Sequence, residues 1–342
     1  MAERPFKVGF SRDILLPDGE LAFSDIGLDI LDAAPGVERE FFSENADELT
    51  PAMIEPYDAL FLAGSRVTEA TLAGNDRLAI IARWGVGYDN VDVEACTRRG
   101  IVLTITPEGV RRPVAVAALT FMLALSTRLV EKDRLTREGR WAEKTLYNGV
   151  GLTGKTLGLV GLGNIGREIA RLVRPLDMRV IAFDPYARLA AADEVGASLV
   201  ALDDLLRASD FVCVTCALTP ETRRLIDAER LALLKPTSYL INVARGPIVD
   251  QVALTECLRE RRIAGAGLDV FEVEPIDPND PLLKLDNVLV NPHALAWTDE
   301  IFRGNGRSAC ESIAAVARGE VPQYVVNREA ISHPRFQRRL AR

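Results

Sequence analysis

The stretch Lys155-Thr156-Leu157-Gly158-Leu159-Val160-Gly161-Leu162-Gly163-Asn164-Ile165-Gly166-Arg167-Glu168-Ile169-Ala170 decides how the rest of the chain is read. Thr156 to Val160 is a short apolar run that predicts a buried strand, and three glycines turn it into a helix. In such a strand–turn–helix, Gly161 makes the tight turn, Gly163 lets a phosphate approach the backbone, and Gly166 lets the helix pack close to the strand. The helix N-terminus adds free N–H groups and the positive end of its dipole. A second apolar run, Met178 to Phe183, ends in Asp184, about twenty residues beyond the glycines, where a carboxylate would accept hydrogen bonds from ribose hydroxyls. Together these signals predict a dinucleotide site rather than a glycine-rich turn alone. Asp184 favours NAD(H) over NADP(H), because its charge repels a 2′-phosphate.

At 342 residues the chain exceeds what one hydrophobic core usually serves, so two domains are expected, and 48% hydrophobic residues suffice for both. The longest apolar stretch, Val114 to Leu125, falls short of the roughly 18 residues of a bilayer span. With Pro113 just ahead of it, it reads as a buried helix. No apolar targeting core follows the first charged residues, and five widely spread cysteines suit reduced thiols, so the expected location is cytoplasmic. Cys213 and Cys216 form a C-x-x-C, but an offset of three along a strand-like run points them to opposite faces, which favours packing over redox or metal work. No metal site and no membrane partner are expected. A net charge of −8 argues against nucleic acid and requires a local positive group for any anionic substrate.

In chain order, apolar runs at Phe6 to Phe10, Val37 to Phe42, Ala59 to Ala63, Leu78 to Trp84 and Ile101 to Thr104 predict five strands of a small parallel α/β unit. Gly85-Val86-Gly87 would expose backbone N–H groups at the carboxyl end of a strand, where open α/β sheets bind ligands. A helix is expected from Pro113 to about Lys132. Beyond the glycine motif, further strands are expected at Phe211 to Thr215, Ser238 to Val243, Gly265 to Val270 and Val288 to Val290. They predict a doubly wound, mostly parallel sheet, and Thr298 to Arg318 reads as a closing helix. The expected division is 1–107 for the first part of a substrate domain, 108–294 for a dinucleotide domain inserted into it, 295–330 for the return, and 331–342 for a polar tail. The active site is expected in the cleft between the domains.

Three segments after the glycine motif carry candidate chemistry. Asn242-Val243-Ala244-Arg245-Gly246 puts Arg245 just past a strand, Asp269-Val270-Phe271-Glu272-Val273-Glu274-Pro275 supplies carboxylates, and Asn291-Pro292-His293 holds one of only two histidines. Moving a hydride between an alcohol and NAD also moves a proton, and histidine suits that work near neutrality. With His333 placed in the tail, His293 is the candidate. Glu274 is proposed to fix its tautomer, and Arg245 to bind a substrate carboxylate through its planar guanidinium.

These segments resemble the NAD-dependent D-isomer-specific 2-hydroxyacid dehydrogenases, from about Ala79 to Val326. The carrying motifs are Gly85 to Asp92, Gly161 to Gly166, Leu218 to Thr222, Asn242 to Gly246, Leu268 to Pro275 and Pro292-His293, in the family's order. The resemblance implies a Rossmann-type sheet inserted into a smaller flavodoxin-like α/β domain. It implies a catalytic trio of Arg245, Glu274 and His293, and a substrate-carboxylate loop at Val86 and Gly87. It implies NAD contacts at Thr106, Gly161, Gly163, Asn164, Ile165, Gly166, Asp184, Val243, Ala244, Asp269 and His293. A homodimer with an exchange arm around Arg140-Trp141 is also implied.

The chain departs from the family where Val114-Ala115-Val116 replaces Val-Ala-Glu, where Cys216-Ala217-Leu218 replaces His-x-Pro, and where Ala294-Leu295-Ala296-Trp297-Thr298 replaces a glycine-rich turn. The expected reaction is hydride transfer between NAD(H) and a small, unphosphorylated 2-hydroxy or 2-oxo acid of the glyoxylate or hydroxypyruvate type. Phosphoglycerate dehydrogenases of the family place an arginine near the end of the third strand, whereas here no arginine occurs until Arg66. No regulatory domain is expected up to Arg342 either. D-3-phosphoglycerate is the second reading, with Arg66, Arg111 and Arg112 as candidate anion ligands. An NAD(H)-sensing corepressor-like binding module is the alternative of another class.

Overall fold

The computed structural model describes residues 4–23 and 25–341. The chain divides into two compact units, Met1–Val110 with Trp297–Arg342, and Arg111–Ala296.

The first unit is a five-stranded sheet of β1 (Phe6–Phe10), β2 (Val37–Phe41), β3 (Ala59–Leu62), β4 (Ile80–Arg83) and β5 (Val102–Thr104), in the order β2-β1-β3-β4-β5. All its pairings are parallel. β3 is buried at every position, as expected of a strand covered on both faces. One face packs Val8, Phe10, Phe61 and Ile80 with Ile313 and Phe336, and the other packs Leu60, Leu62, Ile81 and Leu103 with Ile54 and Tyr57. The helix Asp299–Ala317 covers the first face, with Thr298 as its N-cap accepting from the Ile301 N–H.

The expected polar tail is instead part of this unit. His333 caps a helix at Pro334–Leu340, and Phe336 is fully buried. Arg335 donates to the carbonyls of Arg99 and Leu78, and Arg339 to those of Asp76 and Arg77. The segment is thereby tied down by one aromatic anchor and two guanidinium groups.

The second unit is a seven-stranded sheet of β6 (Thr156–Val160), β7 (Arg179–Phe183), β8 (Ala197–Leu199), β9 (Phe211–Val214), β10 (Tyr239–Asn242), β11 (Gly265–Leu268) and β12 (Val288–Val290), in the order β12-β11-β10-β9-β6-β7-β8. It too is parallel throughout. The order reverses between β6 and β9, which opens a crevice at their carboxyl ends. Cys213 lies in the core on one face, while Cys216, past the strand, packs against the core on the other.

The helix expected from Pro113 to about Lys132 begins earlier, at Pro107, and ends at Thr127. Pro113 lies inside it rather than at its start. Arg128 has φ 55°, which breaks the helix before a second one at Leu129–Arg137. By length and composition alone Pro107–Thr127 could cross a membrane. Here Ala115, Ala118, Phe121, Met122 and Leu125 are core residues, and Phe121 touches the β11 backbone at the position where a Gly267 Cβ would stand.

Candidate active site

The glycine motif lies at the reversal between β6 and β9. Gly161 has φ 104°, and a Cβ there would stand 2.6 Å from the Cys216 nitrogen; one on Gly166 would stand 2.4 Å from the Gly161 carbonyl oxygen. Both positions are closed to a side chain. A Cβ on Gly163 would meet nothing within 4 Å, so its backbone faces open space. The helix Asn164–Val173 starts there without a side-chain cap, leaving first-turn N–H groups of Asn164 and Ile165 to meet an anion. Asp184, past β7, accepts the Leu162 N–H at 2.8 Å and the Tyr186 N–H at 2.9 Å through different oxygens. Each oxygen keeps a lone pair for a ribose hydroxyl. The cradle fits a dinucleotide: open backbone at Gly163 for the pyrophosphate and an acceptor at Asp184 for the ribose.

The candidate trio comes from the carboxyl ends of three adjacent strands. Past β10, the Asn242 side chain accepts from the Ala244 N–H at 3.0 Å and donates to the Arg245 carbonyl at 3.0 Å, fixing the turn that carries Arg245. Val243 packs into the core, and the Ala244 N–H is taken by Asn242. A Cβ on Gly246 would lie 1.9 Å from the Phe271 carbonyl carbon and oxygen. Only glycine lets the Arg245 turn sit directly on the segment that carries Glu274.

Past β11, Glu274 reaches back so that Oε1 accepts the Phe271 N–H at 2.9 Å and Oε2 lies 2.8 Å from His293 Nδ1. Burial opposes its ionisation, but the His293 bond, the Phe271 N–H and the nearby charges of His293 and Arg245 outweigh it and hold the carboxyl below its ordinary range. Past β12, His293 adopts φ 54°, a left-handed conformation that a non-glycine residue holds only when its surroundings impose it. Those surroundings are visible. Asp269 Oδ1 accepts the N–H groups of Ala294 at 3.0 Å and Leu295 at 3.1 Å, and Asn291 Oδ1 also accepts from Ala294. Burial pushes the Asp269 carboxyl up, against the pull of the Leu295 N–H and of His293. Asp269, expected as a cofactor contact, is a brace for the His293 turn.

In the first unit, Val86 and Gly87 are partly exposed past β4. Gly85 ahead of them is pinned: its N–H donates to Thr106 Oγ1 at 2.8 Å, its carbonyl accepts from the Thr106 N–H, and Thr106 Oγ1 bonds Asn305. Thr106 is buried in that network. Asn90 donates to the Ser65 carbonyl at 2.8 Å, joining the loops after β3 and β4. Of the candidate anion ligands, Arg112 pairs with Glu168 at 2.7 Å and Arg111 lies 3.9 Å from the same carboxylate. Leu295 packs against the core of the second unit, and Trp297 joins an aromatic cluster with Phe23 and Phe302.

The bracing residues Asn90, Asn242, Asn291 and Asn305 were not singled out from sequence. Asparagine directly before a post-strand turn is the signal that marks Asn242 and Asn291, through its local bonds to backbone. Asn90 and Asn305 act on distant segments and carry no local signature.

A two-unit α/β protein with a dinucleotide cradle and a carboxylate-held histidine past the last strand of that sheet defines a nicotinamide-dependent dehydrogenase class. The family model described as "D-isomer specific 2-hydroxyacid dehydrogenase, NAD binding domain" matches residues 119–294. The glyoxylate reductase of Korarchaeum cryptofilum is 40% identical over 299 residues, covering 86% of this chain and 87% of that protein. Among solved structures, a glyoxylate reductase from Paecilomyes thermophila aligns with TM-score 0.81 at 27% identity, over 95% of this chain and 99% of that one. D-lactate dehydrogenase from Aquifex aeolicus, complexed with NAD and lactic acid, aligns with TM-score 0.82 at 25% identity, over 94% and 99%. The chain belongs to the D-isomer-specific 2-hydroxyacid dehydrogenase family. It is an NAD-dependent oxidoreductase that acts on the CH–OH group of a small 2-hydroxy acid, or on the corresponding 2-oxo acid.

Proposed function

We propose that the protein reduces a small, unphosphorylated 2-oxo acid of the glyoxylate or hydroxypyruvate type, with His293 as the proton donor. The observation that carries this reading is the 2.8 Å contact between His293 Nδ1 and Glu274 Oε2 on a turn held in the left-handed region. An ionised carboxylate only accepts, so Nδ1 carries a proton and Nε2 is the nitrogen that exchanges one with the substrate oxygen. NADH, when bound, supplies the hydride. Arg245 offers the substrate carboxylate its planar fork. In the first unit, Val86 and Gly87 offer the substrate their backbone N–H groups. Asp184 sets the preference for NADH over NADPH. The unit Arg111–Ala296 serves as the cofactor domain and the other as the substrate domain.

A cytoplasmic location is part of this reading, supported by five free cysteines, four of them buried. A homodimer is the other part, supported by apolar side chains exposed between Val116 and Val150.

The test is NADH oxidation with glyoxylate, hydroxypyruvate, pyruvate and phenylpyruvate. Turnover of glyoxylate or hydroxypyruvate is expected. Binding of NADH without turnover of any 2-oxo acid would instead support a cofactor-sensing binding module.

A further inference from the structure

The first unit carries a second polar constellation that the reaction has not used. Its strand order reverses between β1 and β3, and the carboxyl ends flanking such a reversal are where open α/β sheets take ligands. The loop after β1 is Ser11-Arg12-Asp13, and the loop after β3 is Ala63-Gly64-Ser65. Two hydrogen bonds span the reversal: Ala63 N–H to Ser11 Oγ at 3.0 Å, and Gly64 N–H to Asp13 Oδ2 at 2.6 Å. The Asp13 oxygen lies 2.6 Å from where a Gly64 Cβ would stand. The carboxylate therefore fills the space that a side chain at the end of β3 would occupy.

Arg83 stands at the end of β4, three residues before Val86, and its charge acts on the Asp13 carboxyl. Its guanidinium donates to the Trp84 carbonyl, and Nη1 stands 3.4 Å from the Cβ position of Gly85. Asp13 is exposed, so it can be reached. Its surroundings are nonetheless protein enough that burial raises its carboxyl, against the pull of the Gly64 N–H and of Arg83. A reachable carboxylate in the field of an arginine has a definite chemical preference. An ionised carboxylate only accepts, a guanidinium only donates, and a hydroxyl can do both. A hydroxyl can add a hydrogen bond to either group, a methyl group can add none, and a phosphate meets the negative charge of Asp13.

We propose that Asp13 and Arg83 form the subsite for the C3 substituent of the substrate, accepting a hydroxymethyl group and rejecting a phosphorylated one. This rests on the reading that Val86 and Gly87 hold the carboxylate of a 2-oxo acid. It narrows the substrate class to 2-oxo acids with a C3 hydroxyl, such as hydroxypyruvate.

The experiment compares kcat/KM for hydroxypyruvate, pyruvate and 3-phosphohydroxypyruvate in the wild type, Asp13→Asn and Asp13→Glu. The wild type is expected to favour hydroxypyruvate over each of the others by about tenfold or more, some 1.4 kcal/mol of transition-state binding. Asp13→Asn keeps an acceptor for the Gly64 N–H but removes the charge. It should lower the hydroxypyruvate-to-pyruvate ratio and raise the phosphohydroxypyruvate-to-hydroxypyruvate ratio, each by about tenfold, while Asp13→Glu retains the rejection of phosphate. A change by one common factor on all three substrates would overturn the proposal. Equal wild-type use of pyruvate and hydroxypyruvate would overturn it too, whether or not either variant folds, while leaving the 2-oxo acid reading intact. A wild type inert on every 2-oxo acid would remove that reading itself.

Discussion

Glu274 holds His293 from a position that is itself fixed: Oε2 lies 2.8 Å from the imidazole Nδ1 while Oε1 is tied to the Phe271 N–H at 2.9 Å. The ring is therefore held at Nδ1, which leaves Nε2 away from the carboxylate. His293→Ala should lower kcat on the order of 10²-fold or more, the usual scale for a lost general acid/base. Steady-state kinetics with hydroxypyruvate and NADH check this. A variant that keeps wild-type kcat/KM would remove His293 from the chemistry.

The same pair should make stability depend on pH. The folded state holds the Glu274 carboxyl below its reference value of 4.5. A depressed carboxyl contributes stability that is fully present above the unfolded pKa and lost as pH falls through the folded one. Glu274→Gln should therefore melt below the wild type at pH 7, and the gap should close at pH values under about 4. Thermal unfolding between pH 3 and 7 is the measurement. A gap that is constant across that range would mean the loss is one of packing, not of charge.

Gly246 tests whether the Arg245 turn and the Glu274 segment must touch. With the Phe271 carbonyl 1.9 Å from the position of a Cβ, Gly246→Ala must push backbone against backbone. Overpacking of this kind costs about 1–3 kcal/mol. The displacement also moves Arg245, so kcat/KM should fall by about 10²-fold, as for a misplacement of about 1 Å at a catalytic group. Ordinary activity together with an unchanged melting temperature would show that the turn can relax elsewhere.

What the sequence disclosed and what it hid follow from one physical difference. Arg245 and His293 each stand three residues past the end of a parallel strand and Glu274 six past another, so position and residue type pointed to them. β8 is only three residues long, at the sheet edge, and partly exposed, which leaves no apolar run to notice. The helix Pro334–Leu340 is mostly polar; the buried Phe336 and the carbonyls of Leu78, Arg99, Asp76 and Arg77, more than two hundred residues earlier, make a docked element of it. Pro113 misled for a related reason, since proline favours a first turn, whereas here six helical residues precede it.

Cofactor choice is the next separable question. Asp184 already spends one lone pair of each oxygen on backbone N–H groups, so a 2′-phosphate would meet a charge that cannot swing away. The wild type should prefer NADH. Asp184→Ser should raise the NADPH-to-NADH ratio of kcat/KM by about tenfold or more, some 1.4 kcal/mol. Lower affinity for both cofactors is expected as well, because serine cannot bridge Leu162 and Tyr186 together. A wild type that prefers NADPH would contradict the role given to this residue.

The homodimer is testable through side chains that a lone chain has no reason to expose. Val116 and Leu123, seven residues apart on one helix, are 42% and 41% exposed; Leu129, Trp141 and Leu146 range from 59% to 71%. Apolar side chains left in water over one stretch of chain mark an association surface. Trp141 is the strongest single anchor by type, since tryptophan dominates interface energetics and its loss typically costs about 2 kcal/mol or more. Sedimentation at micromolar concentration should show a dimer of the 37.4 kDa chain. Trp141→Ala should raise the dissociation constant by about thirtyfold, the equivalent of that 2 kcal/mol. A wild-type protein that sediments as a clean monomer would rule out the dimer, and a Trp141→Ala variant with unchanged dissociation would move the interface away from this arm.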